Sequence, residues 1–143
     1  MKTIIVIPAK GNSKGIKKKN LINFCGKPLL YWSIVQAKKS KFRRNIYVSS
    51  ECKKILKFSK NLGVNTIKRP LSLCKDNSSS ESAIKNVLDN INFKVDNIIF
   101  LQVTSPLRKP EDIDRAFKKL ILTKSDSIFS CHKAEDYFDI WSK

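Results

Sequence analysis

No apolar run in this sequence approaches the roughly 20 residues that a membrane-spanning helix needs. The longest runs, Thr3 to Pro8 and Ile98 to Val103, have strand length, so a spanning helix is excluded. Met1 leads within two residues into a strand-like run, with no apolar segment of signal-peptide length before a small-residue cleavage site. The expected location is therefore the cytoplasm. Histidine is nearly lacking: His132 has no second histidine nearby, and a surface or strand-end position is expected rather than a metal-ligand role. Cys25, Cys52, Cys74 and Cys131 stand more than twenty residues apart, without metal-clip or redox spacing, and are expected to be reduced, small apolar fillers. There is no internal repeat, low-complexity linker or composition break. At 143 residues the chain suits one core of ordinary size, and a single domain over 1–143 is expected.

Acidic residues are the scarce charge, 12 against 29 Lys and Arg, for a net charge of +17. Such a balance attracts nucleic acid, anionic membrane or a phosphorylated substrate without choosing among them. Much of it reads as solvated surface. In Glu51 to Leu62, Ile55, Leu56, Ser59 and Leu62 form one stripe, and Lys53, Lys54, Lys57 and Lys60 lie away from it. A basic nucleic-acid-binding module is one reading of the charge. It would show aromatics interleaved with basic residues on one surface, whereas Phe24, Trp32, Phe58, Phe100 and Phe117 read as core.

Strand-length apolar runs recur at Thr3 to Ile7, Ile46 to Val48, Val64 to Ile67, Ile98 to Val103 and Ser127 to Cys131, with helical patterns between most of them. This alternation predicts an α/β fold with a mostly parallel sheet and helices on both faces. Ile98 to Leu101 has no polar alternation, which predicts a central strand covered on both sides. The helices are expected after Pro28 (Leu29, Leu30, Trp32, Ile34, Val35, buried nearly all round), after Ser79 or Ser80 (Ile84, Val87, Leu88, Ile91), and from Pro110 (Ile113, Ala116, Phe117, Leu120, Ile121). Ser50 and Glu51 read as a cap and a dipole partner for the helix that follows them.

The first strand runs into Pro8-Ala9-Lys10-Gly11-Asn12-Ser13-Lys14-Gly15 and then Ile16-Lys17-Lys18-Lys19-Asn20. Ligands of open α/β sheets bind at the carboxyl ends of the strands. There, Gly11 and Gly15 would let backbone N–H groups approach a phosphate, and Lys10, Lys14 and Lys19 would neutralise a triphosphate. The GKS/T ending of a P-loop and the GxGxxG dinucleotide fingerprint are both lacking. A flexible basic turn is the blander alternative for such a loop.

The string IPAKGNSKG followed by KKKNL resembles the opening motif P-A-R-G-G-S-K-G, with K-N shortly after, of the acylneuraminate cytidylyltransferase family. Three further segments resemble that family in the same order along nearly the whole chain. Val48-Ser49-Ser50-Glu51 matches V-S-T-D with Glu for Asp. Lys68-Arg69-Pro70 with Leu73, Asp76 and Ser78 to Ser80 matches R-P-x-x-L-x-x-D-x-x-S. Leu101 to Arg108 matches L-Q-P-T-S-P-L-R. Lys10 stands where the family has arginine and keeps the charge without the planar fork.

The resemblance implies a Rossmann-like fold of the nucleotide-diphospho-sugar transferase type and transfer of CMP from CTP to an acidic nine-carbon sugar. It makes Ala9, Lys10, Gly11, Asn12, Ser13, Lys14, Gly15, Lys19, Asn20, Arg69 and Ser80 nucleotide-binding candidates, with Lys10, Lys14 and Lys19 the catalytic ones. Gln102, a donor and acceptor at a strand tip, and Ser105 become the sugar-site candidates. Mg²⁺ is the implied cofactor. In the family a pair of aspartates near the carboxyl terminus, in a D-I-D type motif, places it on the triphosphate, and a separate protruding segment after the fifth strand contributes to homodimer formation and the sugar pocket. No protein ligand for the ion is expected within 1–143, and low turnover by these residues alone is expected. Glu135, Asp136 and Asp139 read as a surface loop. The related eight-carbon synthetases carry a metal-binding aspartate in the loop of Gln102; this sequence has none there, which favours the nine-carbon branch. A CTP-binding domain without catalysis is the other reading.

Overall fold

The computed structural model describes residues 1–11, 15–74 and 78–131. His132, Glu135, Asp136 and Asp139 lie outside them, as do Asn12, Ser13, Lys14 and Asp76. Four strands, β1 (Thr3–Pro8), β4 (Ile46–Ser50), β5 (Asn65–Lys68) and β6 (Asn97–Phe100), form one parallel sheet in the order β5-β4-β1-β6. Between them run α1 (Leu29–Lys39), α2 (Lys53–Asn61) and α3 (Ser80–Leu88), and α4 (Pro110–Leu122) follows β6. A two-strand hairpin, β2 (Asn23–Phe24) and β3 (Lys27–Pro28), precedes α1.

β1 shows why the sheet is covered on both faces. Its side chains alternate between two cores: Ile5 and Ile7 pack with Leu30, Ile34, Ile55 and Ile113 from α1, α2 and α4, and Ile4 and Val6 pack with Tyr47 and Val87 on the α3 side. The α/β, Rossmann-like fold is thus present. Leu29 to Ala37 contains no exposed residue, so α1 is buried nearly all round, as its composition predicts. Ile55 and Ser59 of α2 face inward, with Lys53, Lys54, Lys57 and Lys60 all exposed.

Four expectations need correction. β6 is an edge strand, paired among the described residues only with β1, and its Ile98 is 38% exposed. A continuous apolar run does not fix strand order, and one face of β6 is left partly uncovered among the described residues; β1, with the same signature, is an inner strand. Ser127 to Cys131 forms no strand and is exposed throughout, and the outer edge of β6 is unpaired among the described residues. Ile121 is 45% exposed: at roughly 100° per residue it falls at the margin of the stripe that Ile113, Phe117 and Leu120 define. The cysteines are free, but Cys25 and Cys131 are exposed and fill no core. Cys25 instead sits with Gly26 at positive φ (51° and 80°) in the two-residue turn of the hairpin.

α4 begins as its sequence predicts, with Pro110 at its first turn. Asp112 accepts the Lys109 N–H at 2.9 Å and a bond from Arg115. The backbone N–H first and Arg115 second hold its carboxyl below the usual range. A carboxylate with a depressed folded-state pKa contributes stability that is present above its unfolded pKa and lost as pH falls through the folded value. Melting of wild type and Asp112→Asn should therefore differ most at neutral pH and converge in acid. A gap that stays constant down the acid limb would refute this linkage.

Candidate functional site

The carboxyl ends of all four parallel strands meet along one edge, and continued ladder bonds carry the chain beyond each strand. Ala9 N–H donates to the Ser49 carbonyl (2.9 Å), Arg69 N–H to Ser50 (2.9 Å) and Leu101 N–H to Val6 (3.0 Å). The chain steps from β1 outward to β4 and β5, then returns to the other side of β1 for β6. That reversal leaves a crevice beyond β1 and β6, the position at which open α/β sheets take ligands. A cleft of about 270 Å³ lies there, lined by Lys10, Lys19, Asn20, Arg69, Ser78 to Ser80 and Gln102 above a floor that includes Pro8, Ala83, Phe100 and Val103.

Six sequence-predicted residues thus converge on one space. Asn20, only 6% exposed, donates through Nδ2 to the Lys10 carbonyl at 2.7 Å. It acts by clamping the loop backbone, and the 3-10 turn Lys19–Leu21 sets Lys19 beside it. Ala9 is wholly buried beneath the loop. A Cβ on Gly11 would lie 2.7 Å from the Cys52 Cβ, so only glycine lets the loop pass there. Gly15 is exposed, with nothing within 4 Å of an added Cβ, and the structure gives no steric reason for glycine at that position.

Arg69 is the most unusual group in the cleft. Pro70 restricts the residue before it to extended backbone, which continues β5 and turns the guanidinium inward, where it is 3% exposed. Its Nη2 donates to the Ser49 carbonyl at 2.7 Å, its Nε has no partner, and no carboxylate pairs with it among the described residues. A buried cation in this condition is costly unless an anion joins it. Beside it, α3 presents its amino-terminal end, capped by Ser79, whose Oγ accepts the Ser82 N–H at 3.3 Å. Ser80 follows as the first helical residue, where anions are favoured.

Gln102 is exposed at the tip of β6 and lines the cleft. Its backbone is fixed by a network that the sequence does not announce. Arg108 donates to the Gln102 carbonyl (2.9 Å) and to Gln36 Oε1 (3.1 Å), and Gln36 Nε2 donates to the Pro106 carbonyl (2.6 Å). Partial burial pulls the Arg108 pKa down from its ordinary value, and Asp112 opposes the shift. Ser105 is not brought to the cleft. Its N–H donates to the Gln102 carbonyl at 3.3 Å, and it lines the neighbouring apolar groove between β6 and α4.

Glu51 also departs from its expected part. The amino-terminal cap of α2 is Cys52, without a side-chain bond, and its N–H donates to Ser50 Oγ at 3.1 Å. Glu51 Oε1 accepts the Gly11 N–H at 2.6 Å, and Oε2 accepts the Cys74 thiol at 3.4 Å. Burial, ahead of the opposing pull of Arg69, pushes that thiol's pKa up, so it stays protonated as a donor. Among the described residues no three His, Cys, Asp or Glu side chains gather as a metal set. Both Glu51 oxygens are already engaged by protein donors, so the described residues do not fit a protein-held Mg²⁺, and no step is derived through one. No helix of the described residues is long and apolar enough to cross a membrane.

Comparison with known proteins agrees with this architecture. The chain is 33% identical over 139 residues to a pseudaminic acid cytidylyltransferase of Campylobacter jejuni subsp. jejuni, covering 94% of this chain and 60% of that protein. It is 31% identical over 143 residues to an N-acylneuraminate cytidylyltransferase of Streptococcus agalactiae, covering 96% of this chain and 33% of that one. The chain therefore spans from one third to three fifths of the length of these relatives. Among solved structures, a CMP:2-keto-3-deoxy-manno-octonic acid synthetase superposes with a TM-score of 0.75 at 21% identity, over 87% of this chain and 49% of that one, which shows a shared fold. The cytidylyltransferase family model matches residues 4–138, and with the loop, the Arg69 segment and the Gln102 turn lining one cleft, the chain belongs to the cytidylyltransferase family.

Proposed function

We propose that this chain is the nucleotide-binding part of an enzyme that transfers CMP from CTP to the anomeric 2-hydroxyl of a sialic-acid-like nine-carbon 2-keto acid, releasing pyrophosphate. The observation that carries the reading is Arg69, a buried cation without a counter-ion among the described residues, facing a cleft that also holds Lys10 and Lys19. Three cations from two walls suit a polyanion better than a neutral ligand. The two curated relatives, named for pseudaminic acid and N-acylneuraminate, support an acidic sugar as the acceptor.

In the proposed reaction the sugar hydroxyl oxygen bonds to the α-phosphorus as the bond to the bridging oxygen of pyrophosphate breaks, and the hydroxyl proton leaves to solvent or the departing phosphate. No covalent intermediate forms on the protein. Positioning and charge neutralisation are what such a transfer needs, and the site has the means for both. Arg69, Lys10 and Lys19 meet the phosphates, together with Lys14 from the same loop. Ser80 and the start of α3 add neutral donors, and Asn20 holds the loop. Gln102 stands at the opposite lip to receive the sugar. Calorimetric titration should show CTP binding at least tenfold more tightly than ATP or UTP, by roughly the 1.4 kcal/mol that a factor of ten represents. Equal binding of the three nucleotides would sink the cytidine-specific reading and leave only a basic patch.

A further inference from the structure

We infer that Glu51 is a positioning residue that ties the two walls of the cleft together by holding the Gly11 amide with one carboxylate oxygen and the Cys74 thiol with the other. The inference rests on the reading of the cleft as a CTP site. Glu51 does not line the cleft, but it bonds the residue next to Lys10; a carboxylate that close to a site for a polyanion is unfavourable by charge alone, so its presence calls for a compensating role. The geometry supplies one. Oε1 accepts the Gly11 N–H at 2.6 Å, forty residues away in sequence, and Oε2 accepts Cys74 Sγ at 3.4 Å, twenty-three residues away. Gly11 belongs to the loop that carries Lys10. Cys74 ends the 3-10 turn Leu71–Cys74, which the Leu73 N–H, donating at 3.0 Å, anchors to the Pro70 carbonyl and so to the strand end that presents Arg69. A shift of either segment would move a cation that faces the nucleotide.

The tether is sterically registered as well as hydrogen-bonded. The Gly11 position packs directly on the Glu51 and Cys52 side chains, where an added Cβ would lie 2.7 Å from Cys52 Cβ and 3.1 Å from Glu51 Oε1. The loop therefore cannot settle closer, and it is kept from moving away by a charge-assisted bond. Bonds of this type are stronger than neutral ones.

Two variants of equal length separate the tether from packing. Glu51→Gln retains an oxygen acceptor for the Gly11 N–H, whereas Glu51→Met fills the space and offers none. By titration, Glu51→Met should bind CTP roughly tenfold or more weakly, with little change in melting, and Glu51→Gln should stay within about threefold of wild type. Exchange of the Gly11 amide should be slow in wild type and Glu51→Gln and fast in Glu51→Met. Wild-type affinity in Glu51→Met would overturn the proposal. So would tighter CTP binding by both variants, which would mean that the carboxylate acts only as a repelling charge. If Glu51→Met does not fold, a tenfold loss in Glu51→Gln would count against the tether. If wild type itself fails to bind CTP, the reading of the cleft falls, and Gly11 exchange alone then decides whether the tether exists.

Discussion

Replacing Arg69 with methionine is expected to weaken CTP binding about a hundredfold or more while leaving the melting temperature unchanged or raised. Truncating one member of a buried, hydrogen-bonded charge pair costs about 2–5 kcal/mol, and each 1.4 kcal/mol is roughly a factor of ten. That loss falls on the complex alone, because among the described residues Arg69 has no ionic partner to lose. Among them the 3% exposed guanidinium bonds only the Ser49 carbonyl and leaves Nε unsatisfied. Buried charges in that state are destabilising, and apolar replacements of similar volume are often neutral or stabilising. The Ser49 carbonyl would not be orphaned, since it also accepts the Ala9 N–H at 2.9 Å. Opposite signs for binding and stability are the diagnostic, as expected where a site is preorganised at the expense of the fold. Arg69→Lys, which keeps the charge without the fork, should fall between. Unchanged CTP affinity in Arg69→Met would remove Arg69 from the site, and a large drop in melting would make it a structural residue.

Positions that depend on local order were readable from sequence, and contacts that depend on distant partners were not. Lys10, Lys19, Asn20, Arg69 and Gln102 stand in strings at strand ends, and a parallel sheet gathers its strand ends on one edge, so placing the strings places the residues. The alternation of strand and helix and the start of α3 near Ser79 follow from periodicity and capping in the same way. Glu51 could not be read like this. A carboxylate between a strand and a helix has the ordinary explanation of favouring the helix dipole, and its partners are Gly11 and Cys74. Arg108 and Gln36 are equally hidden, joined across 72 residues to brace the Gln102 turn. Strand order is set by pairing rather than by composition, which is why the apolar run of β6 concealed its edge position. Ser105 shares the string of Gln102, yet the turn between them sends it to the groove beside α4.

Gly11→Ala is the remaining large effect: CTP affinity should fall by roughly five- to 150-fold, with little loss of stability. The φ angle is not the obstacle, since Gly11 is not among the glycines at positive φ. The obstacle is contact. The new Cβ would lie 2.7 Å from Cys52 Cβ, 3.1 Å from Glu51 Oε1 and 3.3 Å from Cys52 Sγ. Cys52 caps α2, and its Cβ moves only with that helix; relief must come from the loop. Overpacking of this kind costs about 1–3 kcal/mol, and the loop can avoid most of it in the free protein by swinging outward. Binding would then have to bring Lys10 and the following loop residues back against the clash, so the cost appears as lost affinity. Cys52→Gly removes both Cys52 atoms in the contact, and glycine is tolerated at a helix amino-terminal cap. The double variant Gly11→Ala/Cys52→Gly should recover most of the CTP affinity that Gly11→Ala loses, measured by titration beside each single variant. If the double variant binds no better than Gly11→Ala, the close approach of the loop to Cys52 is not what holds the cations in place.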